Sequence, residues 1–275
     1  MIERRAWGPT GRAVPVIGQG TWQMEEDGRA QCVRALRAGL DAGLTHIDTA
    51  ELYGRGEVED IVGEAIEGRR EEVFLVSKVL PSNASREGTV EACERSLRAL
   101  RTDHLDGYLL HWPGPHPLEE TIAAFDALVK DGKIRSWGVS NFDVEAMEEA
   151  LRIAGEGAIA CNQVLYHVEE RTIEHEVLPF CEAHGIALVG YSPYGSGRFP
   201  EDDSTLAAIA EAHGATPYQV ALAFLTRHPS TFTIPKAANP AHAVENARVV
   251  HLSEDELAGI DQAFPLGRSR RLPTL

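Results

Sequence analysis

The feature that most constrains the fold is a regular alternation of two hydrophobic rhythms. Short apolar runs occupy residues 16–21, 45–50, 73–79, 105–111, 134–140, 160–166, 187–192 and 232–236. Between and after them lie segments whose apolar positions recur every three or four residues: 33–40, 58–66, 90–100, 122–129, 144–154, 177–181, 206–213, 217–227 and 243–250. The first rhythm predicts strands buried on both faces; the second predicts amphipathic helices. Thr216, Pro217 and Gln219 form a helix-start signal, and Ser253 to Glu256 caps one more helix at the end. Trp7 to Gly11 is a turn signal between two short extended pieces, so a small hairpin precedes the first strand.

Eight strand–helix units with no linker or composition break predict a parallel sheet with helices outside. A chain of 275 residues accommodates them as one domain, 1–275, folded as a (β/α)8 barrel with a short N-terminal β-hairpin and a C-terminal helix. An open doubly wound sheet is the alternative. It is disfavoured because Gly18-Gln19-Gly20 and Gly195-Ser196-Gly197 both lack the third glycine of a dinucleotide fingerprint. A formal net charge of -16 argues against nucleic-acid or anionic-membrane partners. No apolar run reaches signal-peptide or membrane-spanning length, and Cys32, Cys93, Cys161 and Cys181 are widely spaced. Buried free thiols in a reducing cytoplasm are expected, and no metal is implied.

In a parallel barrel the strand C-termini share one face, where active sites form. Asp48, Lys78 and His111 fall at or near the ends of strands two, three and four, and Tyr53 lies in the loop after strand two. Singly, Asp48 and Lys78 read as a structural ion pair and His111 as a core histidine. Together they make an acid catalyst. An ammonium lowers the pKa of a neighbouring phenol, a carboxylate keeps that ammonium charged, and an imidazole holds a substrate oxygen. A carbonyl receiving a hydride needs such a group, and a cofactor must supply the hydride. Ser140, Asn141 and Gln163 suit an amide, Tyr191 offers an aromatic face, and Lys236 suits a phosphate, helped by the next helix N-terminus.

The chain resembles the aldo-keto reductase superfamily. The resemblance runs from Gly20-Thr21-Trp22 through DTAELYG (48–54), SKV (77–79), HWP (111–113), GVSNF (138–142), NQVLYH (162–167), YSPYG (191–195) and IPK (234–236) to Glu245-Asn246. It implies a (β/α)8 barrel that reduces aldehydes and ketones with NADPH. By the same resemblance Tyr53 is the general acid, Lys78 and Asp48 tune it, and His111 orients the carbonyl. Ser140, Asn141 and Gln163 hold the carboxamide, and Tyr191 stacks on the nicotinamide, with Ser192 and Pro193 beside it. Lys236, His242, Glu245 and Asn246 belong to the adenosine end. Gly20, Thr21 and Trp22 touch the cofactor, and Trp22 and Trp112 join Tyr53 and His111 around the substrate.

Two departures stand out. Ala237 replaces the usual Ser or Thr, and His242 replaces the usual Arg, so the grip on a 2′-phosphate is weakened and NADH becomes a usable donor. The tail after the last helix is short, which implies a shallow, permissive pocket. Its Arg268, Arg270 and Arg271 are expected in solvent rather than at an acidic substrate. The rivals are a Schiff-base aldolase using Lys78, disfavoured because Asp48 keeps the amine protonated, and a non-catalytic nicotinamide-binding subunit. The expected partner is a small carbonyl compound, and the expected state is a monomer.

Overall fold

A computed structural model describes residues 2–274. The chain opens with a hairpin, β1 (Arg4–Ala6) and β2 (Ala13–Pro15), paired antiparallel. Eight parallel strands follow: β3 (Gln19–Gly20), β4 (His46–Asp48), β5 (Phe74–Val79), β6 (Gly107–Leu110), β7 (Trp137–Ser140), β8 (Ile159–Leu165), β9 (Ala187–Tyr191) and β10 (Thr231–Thr233). They pair in sequence order. Parallel bridges Ile17–Thr233 and Gly20–Lys236 join the last strand to the first, so the sheet closes on itself. The fold is a (β/α)8 barrel.

The helices lie where the long-period stripes predict them. They are α1 (Arg29–Asp41), α2 (Glu57–Ala65), α3 (Arg86–Ala99), α4 (Leu118–Lys130), α5 (Val144–Ala154), α6 (Val177–Ala183), α7 (Ser204–Ala212), α8 (Pro217–Leu225), α9 (Pro240–Asn246) and α10 (Glu254–Ala263). Both expected capping boxes, at Thr216 and Ser253, are present. Two boundaries differ from expectation. The helix predicted over 243–250 instead starts at Pro240, with Asn239 accepting from the Ala241 amide, and stops at Asn246. The strand predicted over 16–21 pairs with β4 only at Gln19–Gly20; before that it meets Thr233 in an isolated bridge, and the Val16 amide turns to Glu3 of the hairpin.

Alternation along the strands sorts the core into two layers. On β5, Phe74 and Val76 join an inner cluster with Leu109, Cys161, Val189 and Phe232, while Leu75 and Val79 pack outward among the helices. Each such fully buried side chain contributes about 1.5–3 kcal/mol. The same period turns Lys78 inward and sends Ser77 outward to Glu59 of α2, at 2.6 Å. At the N-terminal mouth, Trp7 from the hairpin turn plugs the barrel against His46, Phe74 and Phe232, at ring-centroid distances of 5.2, 4.9 and 5.3 Å. Gly8 makes this possible. Its φ is +52°, and a Cβ there would lie 2.1 Å from the Ala160 carbonyl oxygen.

Candidate active site

At the opposite mouth, the strand C-termini surround a cavity of about 240 Å³. Gly20, Thr21, Trp22, Asp48, Tyr53, His111 and Trp112 line it on one side, and Ser140, Asn141, Gln163, Tyr191, Ser192 and Lys236 on the other. Lys78 is fully buried beneath Tyr53. Along the ladder the inward residues are staggered: Asp48 pairs with Val76, two residues before Lys78, and Lys78 pairs with Leu109, two before His111. The strand tilt of a closed barrel brings such staggered positions together at one mouth.

The Lys78 ammonium donates to Asp48 Oδ1 at 2.5 Å, to the Thr49 carbonyl at 2.9 Å and to Tyr53 Oη at 3.2 Å. All three ammonium protons therefore have acceptors. Gln163 Nε2 donates to the other Asp48 oxygen at 2.8 Å. Burial pulls the Lys78 pKa down, but Asp48 and Tyr53 more than offset this and hold it above its ordinary value. Burial also raises the Asp48 carboxyl, against the opposing pull of Lys78.

The phenol corrects one expectation. Lys78 does pull the Tyr53 pKa down, but burial pushes harder, and the net shift is upward. Desolvation of a phenolate wins over a cation that Asp48 already neutralises. Tyr53 thus stays protonated at neutral pH. His111 meets the Tyr53 ring edge-on, with centroids 5.8 Å apart. Burial, helped by Lys78, lowers its pKa to about 2, so the imidazole is neutral, and its Nδ1 is buried without a partner.

The other wall is held by backbone bent out of the strands. Asn141 and Ser192 follow β7 and β9 with φ of +62° and +51°. Such left-handed non-glycine residues cluster at functional sites. Asn141 Nδ2 donates to the His111 carbonyl at 3.0 Å, and Tyr191 Oη donates to Asn141 Oδ1 at 2.9 Å. Ser140 Oγ donates to the Gln163 carbonyl at 2.8 Å. Gly20 lets the backbone close in, since a Cβ there would lie 2.5 Å from the Ile234 carbonyl oxygen.

Pro193, His242, Glu245 and Asn246 do not line this cavity. His242 is exposed on α9. Glu245 accepts from Thr216 Oγ1 at 2.7 Å, and Asn246 accepts from Tyr194 Oη at 2.8 Å, which ties α9 to α8 and to the loop after β9. Two lining residues, Leu52 and Ile234, were not singled out from the sequence. Leu52 is 41% exposed and directly precedes Tyr53, so a large apolar residue in a predicted loop was the available signal. Arg268, Arg270 and Arg271 are exposed, as expected; Arg270 also pairs with Glu170 and donates to Thr172 Oγ1 at 3.2 Å, and Leu272 packs on the outer core. No described tail residue lines the cavity.

The sequence pattern of the aldo/keto reductase family matches residues 16–264. A methylglyoxal reductase of Escherichia coli is 47% identical over 266 residues, covering 94% of each chain. A glyoxal reductase of Bacillus subtilis is 36% identical over 253 residues, covering 91% of this chain and 89% of its own. The crystal structure of an aldo-keto reductase from Klebsiella pneumoniae in complex with NADPH superposes with a TM-score of 0.94 at 46% identity, covering 100% of both chains. With a barrel of this topology and a match across nearly its whole length, the chain belongs to the aldo/keto reductase family.

Proposed function

We propose that this protein reduces small aldehydes and ketones to alcohols, with NADPH as donor and NADH as a usable alternative. The observation that carries this is the Tyr53 hydroxyl, 3.2 Å from the buried Lys78 ammonium at the cavity floor, with neutral His111 at its side. Tyr53 gives a proton to the carbonyl oxygen as negative charge develops there. Lys78 stabilises the phenolate left behind, and Asp48 keeps Lys78 charged and aimed. His111 holds the carbonyl oxygen. The bound dinucleotide supplies the hydride.

The donor set fits such a cofactor. Ser140, Asn141 and Gln163 offer amide and hydroxyl partners on one wall, Tyr191 an aromatic surface and Lys236 a cation. The Klebsiella relative crystallised with NADPH supports the same donor. Trp22, Leu52 and Trp112 form an exposed apolar rim, which supports a compact, largely uncharged substrate. The dicarbonyl substrates in the names of the relatives from E. coli and B. subtilis suit that rim. We further propose that the chain acts as a single-domain monomer in a reducing cytoplasm; the four buried free cysteines support that compartment. Cofactor oxidation screened over aldehydes, ketoacids, sugars and diketones tests the assignment. Turnover of a short-chain carbonyl is expected, and none with either nucleotide would sink it.

A further inference from the structure

Lys236 is the one permanently cationic side chain among the residues lining the cavity, yet its ammonium is already engaged. It forms an ion pair with Asp27, which ends the short helical turn Met24–Glu26 in the loop after β3. The two residues come from neighbouring units where the barrel closes, and the bridge between Gly20 and Lys236 joins those units. Each side chain is about one-third exposed, 34% for Lys236 and 33% for Asp27, so the pair is open to an arriving anion. Glu25 and Glu26 on the same turn add like charge beside Asp27.

We propose that Asp27 is a specificity-determining residue that weakens discrimination for the 2′-phosphate of NADPH over NADH. This inference rests on the assignment of Lys236 to a cofactor phosphate. A phosphate reaching Lys236 meets a neutralised pair rather than a free cation. It must either displace the Asp27 carboxylate or accept its repulsion. NADH, which lacks that phosphate, carries no such penalty. The missing Ser or Thr at Ala237 and the missing Arg at His242 act in the same direction, so three features favour a nucleotide without the extra phosphate.

The test is dissociation constants for NADPH and NADH, measured by fluorescence on wild type, Asp27→Asn, Lys236→Met and the double variant. Asp27→Asn should tighten NADPH roughly threefold to tenfold, an effect that shrinks at high salt, while NADH moves less than twofold. The gain should vanish in the double variant, because Lys236 transmits it. An unchanged ratio, equal gains for both nucleotides, or weaker NADPH binding overturns the Asp27 proposal alone. Failure of the wild-type protein to bind either nucleotide overturns the assignment of the cavity, and the Asp27 proposal with it.

Discussion

The two ends of the barrel interior carry the same kinds of group and use them differently. Each has a buried carboxylate held by cations and an inward-facing neutral histidine. At the N-terminal end Asp106 is paired with Arg12 of the hairpin and with Arg70 at 2.9 Å, and accepts from the Leu75 amide at 2.9 Å. Inside the barrel at the same end, His46 packs edge-on against Trp7 and Phe74 and is completely buried. At the C-terminal end Asp48 holds one lysine, and that lysine reaches a phenol that lines an open cavity. A closed network has only stability to offer. One that ends on a solvent-reachable hydroxyl can pass a proton on.

The sharpest way to break this contrast is to exchange readouts between the ends. Tyr53→Phe should lower kcat by about 10²- to 10⁴-fold while leaving the melting temperature and cofactor binding nearly unchanged. Wild-type turnover would end the claim that the C-terminal network donates a proton. Asp106→Ala should do the reverse, costing about 1–3 kcal/mol in chemical denaturation because the buried Leu75 amide and the Arg70 guanidinium lose an acceptor. Its kcat per folded molecule should stay at the wild-type value. A stable variant with damaged turnover would show that the N-terminal network serves catalysis.

His46 gives a subtler probe. Burial lowers its pKa from the ordinary 6.5 to about 3. The unfolded chain therefore binds a proton there that the folded chain refuses. The resulting stability is complete above pH 6.5 and is lost as pH falls toward 3. His46→Leu should flatten the dependence of melting temperature on pH across that window, and an unaltered slope would mean that His46 is not a source of acid sensitivity. The smallest effect belongs to the tail. Arg270→Ala should cost at most about 1 kcal/mol, since the Arg270 side chain is 62% exposed, and should leave KM unmoved because the tail lies off the cavity. A large rise in KM would bring the tail back to the substrate.

Much of the fold was legible in sequence because strand and helix periods differ so strongly. Each predicted strand lies on an observed one, and both capping boxes were spelled out by side chains three residues apart. The shortened first strand and the displaced α9 were less legible. The Val16 amide went to the hairpin while its carbonyl kept Thr233, and Asn239-Pro240 started a helix one turn before its apolar stripe. At the site, Asp48, Lys78 and His111 could be named because an ionisable residue at the exit of an apolar strand is costly without a purpose, and Tyr53 because it follows Asp48 in the DTAELYG segment that resembles the family. Leu52 could not, because an exposed leucine in a loop looks like any other.

What the sequence determined by itself was the order of eight units, the inward period that turns Lys78 toward the axis, and the chemistry available at the strand exits. Only the tertiary structure decided how those groups act on one another. Closure of the sheet through Gly20 and Lys236 brought Asp27 to the cation. The walls of the cavity shield the partly buried Tyr53 enough that desolvation outweighs Lys78 and keeps the phenol protonated. The tail bound Glu170 instead of covering the cavity. Each of these depends on distance and burial across long stretches of chain, and electrostatic balance in a low-dielectric interior is set by those two quantities, which residue order does not contain.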